Sequence, residues 1–453
     1  MVEHTRIQIL SGVVPDTSGD YVLYWMQQSQ RESHNPALEY AIGEANRLNQ
    51  SVIVLFVLME GYPEANERHF AFMLQGLREV AMSLAKRGVL FVLRRGSALD
   101  VVLELARNAS MVVCDRGYLR HQREWRIGIA RRADCPVIQV EGDVVVPTDL
   151  VSDHAEFAAR TIRPKILRLR DEFLRPLRRS RLKRRSNSTS IANDLDPFDI
   201  EGTLARLDID RSVGKVARFK GGTAEARKHL RRFANRGLVE YAVARNDPAD
   251  PRCSALSPYL HFGHISPVEV ALKVRGTQNC SLADREAFLE QLVVRRELSI
   301  NFVLHQRQYD QFSAVPQWAL RSLREHEKDR RAHTYSSAVL ERAETHDHYW
   351  NASMREMVKT GYMHNYMRMY WGKKVIEWST SPRRAYRTLL RLNNKYLIDG
   401  RDPNSYSGVA WLFGLHDRPW SERDIFGKIR YMNSAGLERK FDIKRYVQWV
   451  NGL

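Results

Sequence analysis

The strongest constraint on this chain is the alternation of two hydrophobic periods along its first 150 residues. Short runs rich in β-branched and aromatic residues occupy 21–25, 51–57, 89–93, 111–114 and 137–140. Amphipathic stretches of helical length fill the gaps at 37–48, 68–87, 98–108 and 120–133. Strands separated by helices pair in parallel, because each crossover lays a helix on the sheet. The strand runs are continuously apolar, as a sheet buried on both faces requires. Residues 1–150 are therefore expected to form a doubly wound α/β domain.

From about residue 205 the apolar spacing becomes helical. Helices are predicted over 224–236, 266–274, 284–303, 335–359, 362–378 and 382–393. Ser257 and Ser266 each precede a proline, so helix starts are read at 256–258 and 266–269, the second with Glu269 placed to close a capping box. Residues 205–453 are expected to be an all-α domain, joined to the first by a connector over 151–204. Within that connector, 160–185 carries twelve Lys/Arg against two Asp/Glu, a net of +10 in a chain of 453 residues whose total is +18. Ile166, Leu169 and Phe173 recur at helical spacing, so one face packs and the rest is available to a polyanion. The polar stretch 186–197 reads as a linker or mobile loop.

The charge, 71 Lys+Arg against 53 Asp+Glu, points to nucleic acid first and an anionic membrane second. No apolar run is longer than 52–59, too short to span a bilayer. The N-terminus lacks the pattern of a secretion signal. The four cysteines are scattered, with no CxxC, so neither a disulfide framework nor a metal site is expected. The expected location is a reducing compartment: cytoplasm, nucleoid or, in a eukaryote, nucleus. There is no GxxxxGK[ST], no GxGxxG after the first strand, no HExxH and no GxSxG, so the standard nucleotide and hydrolytic apparatus is missing. His346 and His348 lie two apart, which puts them on different sides of a helix.

The informative blocks lie in 241–441: YAVARNDP, CSALSPYLHFGHISP, FLEQLVVRREL, THDHYWNASMREMVKTGYMHNYMRMYWGKKVIEW, LNNKYLIDGRDPNSYSGVAW and HDRPWSERDIFGKIRYMN. With YVLYWMQ, YPEANERHFAFMLQGL, DRGYLRHQREWR and ARTIRPKI in the first half, they make the chain resemble a class II cyclobutane pyrimidine dimer photolyase over nearly its whole length. The resemblance implies the photolyase/cryptochrome architecture, a Rossmann-like α/β domain followed by an all-α FAD-binding domain. It implies repair of UV-damaged DNA by a monomer that does not engage membranes. The alternative on the same fold is a cryptochrome-like photoreceptor that binds FAD without repair. Dimer splitting needs one added electron. The protein must hold reduced flavin in a dry pocket and draw the lesion out of the duplex, which costs a few kcal/mol.

The resemblance also assigns positions. Tyr241 and the loop Cys253, Ser254, Ala255, Leu256 and Ser257 match the segment that binds the FAD diphosphate, with a thiol at Cys253 where the family usually has a hydroxyl. Arg368 and Asp399 match an ion pair beside the isoalloxazine, where a cation favours the anionic reduced form, and Asn393 matches the amide near flavin N5. Trp371, Trp350 and Trp378 match an electron wire, with Trp371 nearest the flavin, Trp350 in the middle and Trp378 at the surface. Glu290 matches the carboxylate that contacts the flipped pyrimidine and, by sharing a proton, stabilises the dimer anion. Trp411 and Met369 line the lesion pocket, as does Met354, which stands where class II members more often carry Gln. Arg245 and Arg430 flank the gap left by the lesion, with Arg423 and Lys428 in the same basic block. An antenna chromophore is implied for the sheet domain, a deazaflavin more readily than a folate.

Overall fold

The computed structural model describes residues 2–13, 18–186, 190–250 and 252–453. Residues 187–189 of the predicted linker, and Met1 and 14–17 of the predicted α/β domain, lie outside the described residues. The sheet has six strands: β1 (Ile7–Ile9), β2 (Tyr21–Met26), β3 (Ser51–Leu58), β4 (Leu90–Arg95), β5 (Ala109–Asp115) and β6 (Val137–Val140). Their order is β1-β6-β5-β2-β3-β4. β2 to β6 run parallel, and β1 pairs antiparallel with β6. The five predicted runs are all strands. β1 was not predicted; it has three residues, and its partner rather than its own pattern makes it a strand.

Alternate residues of each strand feed two cores. Val22, Tyr24 and Met26 pack towards the helices Pro36–Leu48 and Glu67–Arg87, while Leu23 and Trp25 pack towards Ala98–Ala106 and Arg120–Ala130. β2 connects onward to β3 on one side and pairs with β5 on the other. Their carboxyl ends therefore border a crevice of the kind that holds ligands in doubly wound sheets.

The connector differs from its prediction. Ala159–Phe173 is a helix that buries Ile162, Ile166 and Phe173. The rest of the basic run is coil laid against the sheet domain, where Asn46 bonds the backbone of Arg181 and Lys183. The described part of 186–197 is a seam rather than a loose linker. Ser186 Oγ accepts from Leu90 N at 2.7 Å, Asn193 Oδ1 accepts from Leu93 N at 2.7 Å, and Asp194 N donates to Leu93 O at 3.0 Å. These bonds cover the backbone of the edge strand β4, which would otherwise be open to pairing.

In the helical half, 284–303 is one path with a wide π-helical turn, Glu290–Arg295, between Leu282–Leu289 and Arg296–His305. Such turns re-aim side chains and recur at functional sites. The predicted helix 335–359 is two helices, Ser337–Glu341 and His348–Thr360. The first ends at Glu341, the chain turns at Ala343 with φ of 57°, and Asp347 starts the second, its side chain accepting from Tyr349 N and Trp350 N. At 256–258 the structure corrects the predicted cap: Ser257 lies inside the short helix Ser257–His261, and no side chain caps it. Ser266 does cap Pro267–Arg275, but Glu269 pairs with Arg227 instead of closing a box. Buried arginines tie the halves together: Arg68 donates to the carbonyls of Gly214, Tyr396 and Val358, and Arg31 to those of Gly142 and Gly263. No helix among the described residues is long and apolar enough to cross a membrane.

Candidate active site

Two adjoining cavities run through the helical half. The outer, about 670 Å³, is walled by Arg218, Arg232, Arg236, Arg252 and Arg445 together with Cys253, Ser254 and Ala255. The inner, about 210 Å³, is lined by Ser257, His261, Arg296, Arg368, Asp399 and Asp402. Tyr362 borders both. Five guanidinium groups around one cleft suit a polyanionic ligand. The loop predicted to grip it passes from one cavity to the other, turning at Ala255 with φ of 51°. Burial pushes the Cys253 thiol up to about 11, so it stays neutral. The Leu256 side chain is buried in the core, which leaves only its backbone for a ligand. Tyr241 stands behind the wall residue Phe233, with their rings 5.5 Å apart.

The predicted ion pair is present. Arg368 Nη2 donates to both Asp399 oxygens at 3.0 and 3.1 Å, and its Nε donates to the Met363 carbonyl at 2.9 Å. Burial opposes the guanidinium charge, but Asp399 outweighs it and raises the Arg368 pKa. Asn393 donates from Nδ2 to Asn394 Oδ1 at 3.1 Å, an oxygen that also accepts from Arg401 N. That bond orients the Asn393 amide and leaves its carbonyl oxygen uncommitted.

The tryptophans form a buried row. Trp350 Nε1 donates to the Trp371 carbonyl at 2.9 Å, and the rings of Trp350 and Trp378 are 5.5 Å apart. The expectation for Trp378 was wrong: it is 2% exposed and not at the surface. Tyr335, before Ser337–Glu341, and His346, in the break before His348, cover its ring at 5.3 and 5.4 Å, and Lys374 covers it at 5.7 Å.

Trp411 lies near the end of the helix Pro403–Leu412, with Arg430 at 5.5 Å and Lys373 at 6.0 Å from its ring. Arg430 also stacks on Trp420 at 4.2 Å and pairs with Asp417 at 3.0 Å. Burial pulls the Lys373 amine down to about 7, and it donates to the Leu412 carbonyl. Met369 is half-buried beside Arg368. Met354 is corrected: at 0% exposure it is a core residue and lines no open pocket. Glu290 sits on the π-helical turn and accepts from Arg163 at 2.8 and 3.0 Å and from Arg295 at 3.1 Å. Both of its oxygens accept from arginines in that arrangement. Arg245 is half-buried at the end of Tyr241–Ala244, and its carbonyl meets His364 Nε2 at 3.2 Å. Lys428 and Arg423 engage their own loop, through Glu422 and Tyr431.

Sequence reasoning did not single out His261 and Asp402, which pair at 3.2 Å in the inner cavity. Burial pushes the Asp402 carboxyl up, but the bond and charge of His261 outweigh it and hold it near 2. Both lie in quoted blocks, yet 141 residues separate them, so no spacing signalled the pair. A third cavity fills the crevice beyond β2 and β3. It is lined by Trp25, Gln27, Phe56 and Gln122 from the sheet side and by Phe262 and Arg401 from the helical side. Gln27 Nε2 and Oε1 and Gln30 Oε1 are buried there without a partner. His326, Asp329 and Asp424 are close enough to share an ion, but both ring nitrogens of His326 already face carboxylates, Asp329 at 2.6 Å and Glu422 at 3.0 Å.

The DNA photolyase family model matches residues 22–182. The chain is 46% identical to a deoxyribodipyrimidine photo-lyase of Methanothermobacter thermautotrophicus, covering 100% of this chain and 99% of that protein. It is 39% identical to one from Oryza sativa subsp. japonica, over 96% of this chain and 88% of that one. Its fold is similar to that of a class III photolyase from Agrobacterium tumefaciens, with a TM-score of 0.75, 20% identity, and coverage of 97% and 88% of the two chains.

Proposed function

The chain belongs to the DNA photolyase family, and on that premise we propose that it is a light-dependent DNA repair lyase that reopens cyclobutane pyrimidine dimers. Its sequence blocks support placement in class II, acting as a monomer. The observation that carries the reading is the convergence of three tasks on one helix, Asn365–Trp378. That helix presents Arg368 to the inner cavity, carries Met369 beside it, and holds Trp371 and Trp378 against Trp350.

The residues fit FAD. The arginine-lined outer cavity suits a diphosphate and its adenosine, and the inner cavity with its ion pair suits a flat, electron-rich ring. Reduced FAD bound there supplies the photoexcited electron that opens the dimer. The protein's part is electrostatic and positional. Arg368, held by Asp399, presents a fixed cation to the ring edge, and Asn393 presents an oriented amide carbonyl. The buried Trp371, Trp350 and Trp378 offer a dry path for electrons from outside. Trp411 forms the wall for the extruded bases, Glu290 accepts their N–H groups, and Arg245 and Arg430 hold the strand around the gap. Phosphate contacts of this kind add affinity without reading sequence.

Residues 1–150 serve light harvesting in this reading, 151–204 connect, and 205–453 carry the chemistry. The crevice cavity suits a planar antenna chromophore, because the unpartnered amide of Gln27 can bond a heterocycle edge, and the family resemblance favours a deazaflavin over a folate. The test is a repair assay on oligonucleotides carrying a thymine dimer or a 6-4 photoproduct, under blue light and in the dark. The thymine dimer should be restored in light alone and the 6-4 photoproduct left intact. A yellow protein that repairs neither lesion would be the photoreceptor instead.

A further inference from the structure

The connector segment just before the helix Ala159–Phe173 has no part in the site so far. Phe157 is 53% exposed there, yet its backbone is braced on every side. Asn301 bonds Glu156 N at 2.8 Å and the His154 carbonyl at 2.9 Å, and His416 Nδ1 donates to the Phe157 carbonyl at 2.9 Å. The ring is thus held out in solvent by a fixed backbone. Arg160 lies over it at 5.7 Å. One turn further on, Arg163 meets Glu290, which also binds Arg295.

His416 joins this patch to the proposed lesion lip. It lies five residues after Trp411 and next to Asp417, the partner of Arg430. Burial pulls its ring down to about 4, so it stays neutral and its bond to Phe157 does not change near neutral pH. Arg163 and Arg295 bond the carboxylate of Glu290, and Arg160 adds a third guanidinium over the exposed aromatic ring. An aromatic face with flanking arginines is the pairing that grips unpaired bases and their phosphates.

We propose that Phe157 and Arg160 form a second DNA contact, continuous with the Trp411–Arg430 lip, that holds the strand flanking the extruded dimer. Arg160 takes a phosphate, and Phe157 lies against the base or sugar next to the gap. This rests on the repair reading and extends its binding surface into the connector.

The test measures dark binding of a thymine-dimer oligonucleotide to the flavin-loaded protein over a range of salt, for the parent, Phe157→Ala, Arg160→Gln and Arg430→Gln. Flavin content and thermal transition confirm that each variant is folded. Arg160→Gln should weaken binding and make the salt slope shallower by about 1. Phe157→Ala should weaken binding about tenfold with the slope unchanged, the cost of one lost stacking contact, and Phe157→Leu should recover only part of it. If either Phe157→Ala or Arg160→Gln binds like the parent while Arg430→Gln is weakened, the proposal is wrong. If the parent itself neither binds nor repairs the dimer, it is the repair reading that fails.

Discussion

Asp399→Asn removes one charge and almost no volume from the inner cavity. Arg368 then loses two charge-assisted bonds, at 3.0 and 3.1 Å, and keeps its Nε bond to Met363. Breaking a buried pair from one side costs about 3–5 kcal/mol, because the surviving charge stays desolvated. The Arg368 side chain is 26% exposed towards the cavity. Water there, and one acceptor retained by the new amide, should reduce the loss to about 2 kcal/mol. Arg368→Met removes the charge rather than stranding it, so Asp399→Asn made in that background should cost less than about 1 kcal/mol. The assay is a double-mutant cycle on the flavin-loaded protein, unfolded with urea and followed by flavin release and far-UV signal. Coupling within about 0.5 kcal/mol of zero, the range of independent sites, would refute the argument that Asp399 is what keeps this guanidinium tolerable.

Three further outcomes follow from the same geometry. Trp371→Phe and Trp350→Phe should each slow light-driven reduction of the bound flavin, read from its absorbance, while repair by chemically pre-reduced protein persists; loss of both activities in a folded variant would remove the tryptophans from the electron path. Asp402 is held near 2 against an ordinary 3.8, so its stabilisation, about 2 kcal/mol at about 1.4 kcal/mol per pH unit, is present above pH 4 and lost as pH falls towards 2. Asp402→Asn should therefore be less stable at neutral pH but show a shallower acid limb in urea titrations; parallel limbs would contradict the pairing with His261. Glu290→Ala should lower the repair quantum yield several-fold while flavin content stays constant, and an unchanged yield would exclude Glu290 from the lesion contact.

Most of the sheet was legible because its strands are wholly buried, so each is a run of apolar β-branched and aromatic residues that needs no partner to be recognised. β1 was illegible for the converse reason: pairing with β6 makes it a strand. The helix over 335–359 was misread because the apolar residues on either side, Val339 and Leu340 and then Tyr349 and Trp350, were read as one helix across the polar stretch 342–347, whereas the chain turns at Ala343 and Asp347 starts a new helix through a side-chain bond that periodicity does not record. The resemblance put Trp378 at the surface, but Tyr335, before the first of those helices, and His346, in the loop between them, cover its ring. Met354 shows the limit in reverse. Its position matched a pocket residue, but the helix His348–Thr360 turns it into the core.

By itself the sequence determined the α/β order, the helical second half, the placement of basic residues and, through its long blocks, the ion pair at Arg368 and Asp399. The first three depend on local period, composition and residue type, which the chain carries without being folded; the ion pair was implied by the family resemblance of those blocks. Tertiary structure alone decided that His261 meets Asp402, that Arg163 meets Glu290, that the polar stretch after 185 seals an edge strand, and that His416 braces the backbone of Phe157. Each of these joins residues far apart in the chain. Their proximity depends on how helices and sheet pack against one another, and local spacing holds no record of that.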